Sequence, residues 1–120
     1  MIFDEPNFLP GGDRYITVEF GSEMSLELNF MGQGLAGALD ASGTKGLVET
    51  APCFATLLVH YEPRYISYDD MVTELKSLIA SLGSADEIEM DSRLFTFETL
   101  YLDPWTKECI DDYRDKLNHD

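Results

Sequence analysis

The side chains of this chain that could do chemistry are few and lie apart. There are two histidines, His60 in an apolar, β-prone stretch and His119 beside the last residue. A metal or catalytic site needs further ligands or an acid–base partner close by, and neither histidine has a second one at helical or hairpin spacing. We therefore interpret His60 as a surface or interface residue in preference to a catalytic base. The sequence predicts no metal ligand and no catalytic residue.

Acidic side chains are abundant but poorly arranged for acid–base catalysis. Adjacent pairs occur at 69–70, 86–87 and 111–112, and neighbours in sequence do not share a helix face. Helix capping and solvated charge are the better interpretation.

The two cysteines, Cys53 and Cys109, stand far apart in apolar surroundings, which favours buried free thiols over a disulfide. Phosphate-binding, dinucleotide-binding and nucleophile-elbow patterns do not occur, so we expect no cofactor.

The charge of the chain excludes whole classes of partner. Its 120 residues include 23 acidic and 8 basic side chains, which gives a net charge of −15. Such a field repels phosphate backbones and anionic bilayers, so we expect neither a nucleic-acid nor a membrane partner. The first residues lack the basic region and long apolar core of a signal peptide, and no apolar run approaches the length of a membrane span. These features predict a cytoplasmic protein.

The apolar pattern predicts strands and helices around a central hairpin at 46–63. Residues 54–61 alternate between two faces, as strand residues do, and Pro52 marks the turn before them. Strands are also predicted at 15–20, 47–51 and 94–102, and helices at 25–39, 67–82 and 103–120. This order predicts an α+β, ferredoxin-like split βαβ sandwich, in which two helices cover one face of an antiparallel sheet, plus an extra C-terminal helix. We expect a domain at 1–102 and a helical arm at 103–120.

Two faces of this arrangement are candidate partner contacts. The sheet face without helices presents Leu58 and His60 among polar and apolar neighbours. That mixture is typical of a partner-facing patch and equally of a partly solvated sheet face. The last helix carries Trp105, Cys109 and Tyr113 on one side. This side must dock on another surface, because a short isolated helix is marginally stable in water.

Three segments together resemble a known family. They are residues 8–14 (Phe-Leu-Pro-Gly-Gly-Asp-Arg) before the first strand, residues 46–63 of the hairpin, and Ile-Ser-Tyr at 66–68. In this order and spacing they resemble the amino-terminal domain of allophanate hydrolase subunit 1. That family includes the corresponding component of 5-oxoprolinase, the Kip-type inhibitor of a sporulation histidine kinase, and half of the carboxyltransferase domain of urea carboxylase. The resemblance covers about residues 7–82.

The resemblance implies a small α+β domain, a following cyclophilin-like barrel and a homologous second subunit. The strand at 94–101 resembles the one that enters the barrel, but only the helix at 103–120 follows it here. Because the barrel would hold most of the substrate site, no catalytic residue carries over, and we do not expect catalysis by this chain alone. The resemblance implies an accessory subunit of a biotin-dependent carboxyltransferase or ATP-dependent 5-oxoprolinase-like assembly, with protein subunits or further copies of itself as partners. The alternative is a regulatory protein-binding module of the histidine-kinase-inhibitor type.

Overall fold

The computed structural model describes residues 1–117, so His119 lies outside the described residues. They divide into two units, Met1–Met90 and the described part of Asp91–Asp120. The first unit holds an antiparallel sheet with two long helices, and the second holds an irregular stretch followed by a helix. The predicted domain boundary at residue 102 stays a prediction.

The first unit is an α+β fold with an open four-stranded antiparallel sheet, as the sequence predicts. The strands lie in the order β1-β2-β4-β3, and each is antiparallel to its neighbour. The central hairpin is confirmed as β3 and β4. The elements are β1 (Ile2–Pro10), β2 (Tyr15–Gly21), α1 (Leu26–Ser42), β3 (Leu47–Pro52), β4 (Thr56–Tyr61), α2 (Tyr68–Leu82) and a short 3-10 turn at Ala85–Glu87.

The core forms where one face of the sheet meets one stripe of each helix. Every second residue of β2 and β4 points into it, as the period of two requires, and residues at helical spacing on α1 and α2 cover them. Among the residues described, the buried apolar ones all lie between 16 and 75. They are Ile16, Val18, Phe20, Leu28, Leu35, Ala36, Leu39, Leu57, Val59, Tyr61, Met71 and Leu75.

Local sequence signals set the ends of both helices. Ser25 and Ser67 are the N-caps of α1 and α2, and the Ser67 hydroxyl accepts a hydrogen bond from the backbone N–H of Asp70 at 3.1 Å. Such a bond satisfies one of the unpaired donors of a first helical turn. Gly43 ends α1 in the left-handed conformation, at φ +68°. The predicted helices at 25–39 and 67–82 are therefore confirmed, and α1 ends three residues later than predicted.

The predicted strand at 94–102 is wrong. These residues are all described and contain no strand, and β1 occupies the sheet edge beside β2 that the last strand of a split βαβ would fill. From the sequence pattern, residues 1–12 are predicted to be an extended lead-in and not a strand. A short turn through Gly12, at φ +70°, joins β1 to β2, and closing a short hairpin loop costs less entropy than closing a long one. Pro6 and Pro10 are compatible with an edge strand, because an edge leaves one row of N–H groups unpaired.

The second unit contains the predicted C-terminal helix, α3, at Pro104–Leu117. Asp103 caps its first turn, where one carboxylate oxygen accepts hydrogen bonds from the backbone N–H groups of Trp105 and Thr106, each at 3.0 Å. Proline in the first helical position costs no hydrogen bond, because that N–H would have no partner within the helix. None of the helices within residues 1–117 combines the length and apolar character of a membrane span.

Candidate interaction surfaces

The sheet face opposite the helices, here called the outer face, is built by outward residues of all four strands. The strand registers align Leu9, Thr17, Leu58 and Ala51 as direct neighbours in one row across the whole sheet. None of these four side chains carries a charge, and none belongs to the buried core. Leu58 therefore lies on the face where the sequence places it. Its role as a partner contact stays a prediction.

A second row of the outer face contains His60. Its ring stacks on the ring of Tyr15 with centroids 4.4 Å apart, and its Nδ1 lies 3.4 Å from Oε1 of Glu49. Both neighbours are cross-strand partners of His60, so the sheet register alone brings the three together. Because the Glu49 side chain is 68% exposed, an ion pair here would be weak. This arrangement orients the imidazole and can offer a hydrogen bond to a polar group of a partner.

The segment at 94–102, here called the aromatic segment, exposes all of its large apolar side chains. Leu94 is 95% exposed and Phe97 is 79% exposed. The rings of Phe95 and Phe97 stack at 6.3 Å between centroids, as expected for two residues on one side of an extended chain. The exposed set is Leu94, Phe95, Phe97, Leu100, Tyr101 and Leu102.

Helix α3 also carries exposed apolar side chains. Trp105, Cys109 and Tyr113 follow one another at four-residue steps and are all exposed, with Trp105 at 74%. Residues four apart lie on the same side of a helix, so the predicted Trp105–Cys109–Tyr113 face exists. What covers it stays a prediction.

The prediction that both cysteines are buried is wrong, since Cys53 and Cys109 are both exposed. Cys53 lies in the turn between β3 and β4, where its backbone N–H donates to the carbonyl oxygen of Thr56 at 2.8 Å. A turn at the end of a hairpin extends away from the core, so apolar neighbours in sequence do not bury it. Cys109 lies on the exposed face of α3. Among residues 1–117, no three His, Cys, Asp or Glu side chains are grouped in a way that could hold a metal ion.

One cluster was not found by sequence reasoning. Arg14 and Arg64 both approach the carboxylate of Glu62, with shortest nitrogen–oxygen distances of 3.4 and 3.1 Å. The hydrogen bond from Arg64, more than any other contact, holds the pKa of Glu62 below its usual value. The cluster lines an open depression of about 900 Å³. The Arg14 contact links the β1–β2 turn to the end of β4, but it is a weak ion pair because the Arg14 side chain is 56% exposed.

The same depression is where the three segments that carry the family resemblance meet. The Tyr61 backbone N–H donates to the carbonyl oxygen of Arg14 at 2.9 Å, and the Tyr68 hydroxyl donates to the carbonyl oxygen of Phe8 at 2.9 Å. The segments were visible in the sequence. Only the folded structure shows that they come together, because residues 8 and 68 are 60 positions apart in the sequence.

A small α+β domain with an open sheet face and an exposed apolar arm is typical of a module that works in contact with other protein. The comparisons with known proteins define the module further. The family model for the carboxyltransferase domain, subdomain C and D, matches residues 6–109, and the chain belongs to this family. The comparison with curated proteins gives no significant match.

Solved structures with the same fold match this chain over different fractions of their own length. The PH0987 protein of Pyrococcus horikoshii is 35% identical with a TM-score of 0.58, over 62% of this chain and 35% of that one. This chain therefore spans about a third of the length of that relative. Urea carboxylase of Kluyveromyces lactis (21% identity, TM-score 0.60) matches over 76% of this chain and 8% of its own. The N-terminal domain of the histidine kinase inhibitor KipI from Bacillus subtilis (17%, 0.59) matches over 72% of this chain and 95% of that domain. At these two lower identities the likeness concerns the fold.

Proposed function

We propose that this chain is an accessory part of a carboxyltransferase-type assembly, either biotin-dependent or of the ATP-dependent 5-oxoprolinase type, and that it contributes protein contacts to that assembly. The observation that carries the proposal is the exposed apolar surface of residues 94–117. Family membership supports the type of assembly.

The amount of exposed apolar surface in the second unit favours a protein partner over solvent. Ten large apolar side chains between residues 94 and 117 are exposed: Leu94, Phe95, Phe97, Leu100, Tyr101, Leu102, Trp105, Ile110, Tyr113 and Leu117. Fully burying one such side chain stabilises a complex by roughly 1.5–3 kcal/mol. Contiguous exposed apolar patches of this kind mark interaction sites in soluble proteins.

The aromatic segment also indicates which kind of partner surface it would fit. On an extended chain, Phe95, Phe97 and Tyr101 would share one face with Thr99, whereas the opposite face would carry Thr96 and Glu98 between leucines. A strand with one aromatic face and one mixed face suits an antiparallel sheet that is packed on one side and solvated on the other. We therefore propose that the partner supplies a β-sheet that pairs with this segment and covers its aromatic face.

Affinity capture from native cells tests the proposal. The tagged chain is expected to retain biotin-carrying or carboxyltransferase subunits, and Phe97→Asp, which places a charge in the aromatic segment, is expected to lose them. Phe30→Asp is the matched control, because Phe30 is an exposed phenylalanine on α1 in the first unit. Equal capture by the parent and Phe97→Asp would contradict the role of this surface.

A regulatory module that binds a histidine kinase is the second candidate. It is favoured by the match to nearly the whole N-terminal domain of KipI. In the same capture experiment, a histidine kinase that is retained by the parent and lost from Phe97→Asp would support this candidate over the first. Turnover of 5-oxoproline or a urea derivative by the purified chain alone would contradict both.

A further inference from the structure

Helix α3 forms in a part of the chain whose described side chains are not buried. Each residue between 91 and 117 is exposed, apart from Asp103 and Asp111, which are partly buried. Helix α2, in contrast, contributes Met71 and Leu75 to the core, and both are completely buried. Most of the stability of a helix in a protein comes from burying one of its faces against other elements. Helix α3 therefore depends largely on interactions within its own 14 residues.

The sequence of α3 is that of a weak helix former. Even an alanine-rich helix of 14 residues is only marginally stable in water, and α3 contains no alanine. More than half of its residues are of types with low helix propensity. They are Trp105, Thr106, Cys109, Ile110, Asp111, Asp112, Tyr113 and Asp115.

The charges of α3 add little to its stability. Asp115 lies in the last turn, where the negative end of the helix dipole disfavours a carboxylate, and Asp111 and Asp112 lie in the turn before it. Arg114 and Lys116 in the last turn have the favourable sign and offset this effect. The ion pair between Arg114 and Asp111, at 3.1 Å, is largely exposed to solvent and is therefore weak.

We infer that α3 is helical only part of the time in the free chain, and that a partner which covers its Trp105–Cys109–Tyr113 face completes its folding. Residues 104–117 exchange between helix and coil, while the first unit stays folded around its own core. The partner binds the helical form, so its apparent affinity is reduced in proportion to the fraction of chains in which the helix is formed. The helix propensity of α3 thereby sets the strength of the contact. The inference rests on the proposed function only for the existence of the partner.

Hydrogen exchange of the backbone amides in the free full-length chain tests the inference. The amides of α2 are expected to exchange about a thousandfold or more slowly than those of an unstructured peptide, because they exchange only when the first unit unfolds. The amides of residues 107–117 are expected to be slowed by less than about tenfold. Slowing by more than about tenfold, which requires the helix to be formed more than about 90% of the time, would overturn the inference.

Two pairs of substitutions compare the helices by stability. Lys107 is exposed on the side of α3 opposite the Trp105–Cys109–Tyr113 face, and Ser77 is exposed on α2. Glycine destabilises a formed helix relative to alanine, so Ser77→Gly is expected to unfold at a urea concentration about 0.3–1 M below that of Ser77→Ala. Lys107→Gly and Lys107→Ala are expected to unfold at the same concentration. A difference at position 107 as large as that at position 77 would show that α3 is part of the cooperative fold, against the inference.

The same variants connect helix formation to binding. In the capture experiment, Lys107→Gly is expected to retain about two- to fivefold less partner than Lys107→Ala, because glycine lowers the helical fraction that the partner binds. The two Ser77 variants are expected to retain equal amounts. Equal retention by the two Lys107 variants would contradict the coupling. A chain that retains no partner would contradict the proposed function and not the helix–coil exchange, which the amide measurement in the free chain upholds or overturns.

Discussion

Substituting Gly46 by alanine tests how the chain enters the central hairpin. Gly46 has φ +96°, and a Cβ atom there would lie 2.8 Å from Cγ2 of Ile66 and 3.0 Å from Cβ of Tyr65. Its carbonyl oxygen also accepts a hydrogen bond from the Glu62 backbone N–H at 2.8 Å, so the residue cannot move away freely. Alanine in the left-handed region costs about 1–2 kcal/mol and the crowding about 1–3 kcal/mol, while the stiffer unfolded chain returns about 0.4–1 kcal/mol. We expect Gly46→Ala to lower the free energy of unfolding by about 2–4 kcal/mol.

Two other glycines of the same unit separate these contributions. Gly43 also has a positive φ, +68°, but a Cβ atom there meets nothing within 4 Å. Gly43→Ala is therefore expected to show only the backbone cost, about 1 kcal/mol after the gain from the unfolded state. Gly37 lies inside α1 with open space around it, so Gly37→Ala is expected to raise the unfolding free energy by about 0.5–1 kcal/mol.

Urea unfolding followed by far-ultraviolet circular dichroism measures all three variants against the parent, with slopes compared to confirm two-state behaviour. Equal losses for Gly46→Ala and Gly43→Ala would refute the steric reasoning, because the two positions share the backbone cost and differ in the crowding. A loss of stability in Gly37→Ala would refute the description of that position as a solvent-facing helical residue.

The remaining predictions concern the core, a helix cap and pH. Leu75 is completely buried, and Leu75→Ala is expected to lower the free energy of unfolding in urea by about 3 kcal/mol. A loss below about 1 kcal/mol would show that the core collapses around the cavity. Ser67→Ala is expected to cost about 1 kcal/mol and Ser67→Asn close to nothing, so equal losses in thermal unfolding would contradict the capping role. The hydrogen bond from Arg64 lowers the pKa of Glu62 in the folded protein below its ordinary value of 4.5. The stability that this carboxylate contributes is therefore fully present above pH 4.5, and it is lost as the pH falls through the lower folded pKa. The difference in unfolding free energy between the parent and Glu62→Gln should therefore shrink below that pH, and a difference that grows on acidification would contradict the sign of the shift.

The local elements of the first unit could be predicted from the sequence. The alternation at 15–20 and 54–61 assigns each residue to the inner or outer face, and those faces are confirmed from Ile16 to His60. Helix α2 begins and ends where its serine cap and apolar stripe indicate. Such features depend on neighbours within a few positions, so one chain is sufficient to recognise them.

The partner of each strand could not be predicted in the same way. Alternation marks residues 94–102 as strand-like, yet no strand forms there within the described residues, while the edge beside β2 is filled by Ile2–Pro10 with its two prolines. Hydrogen bonding to a sheet edge requires a second strand, and which segment arrives there depends on loop length and on what else the segment can contact.

The sequence by itself therefore determined which residues face the core, where the helices of the first unit are capped and which family the signature segments resemble. The tertiary structure decided that Cys53 is exposed, that Arg14 and Arg64 share the carboxylate of Glu62, and that Tyr15 stacks on His60. The physical reason is the range of the interactions. Periodicity and capping act over one or two turns of chain, whereas these contacts join residues that only strand pairing and helix packing bring together.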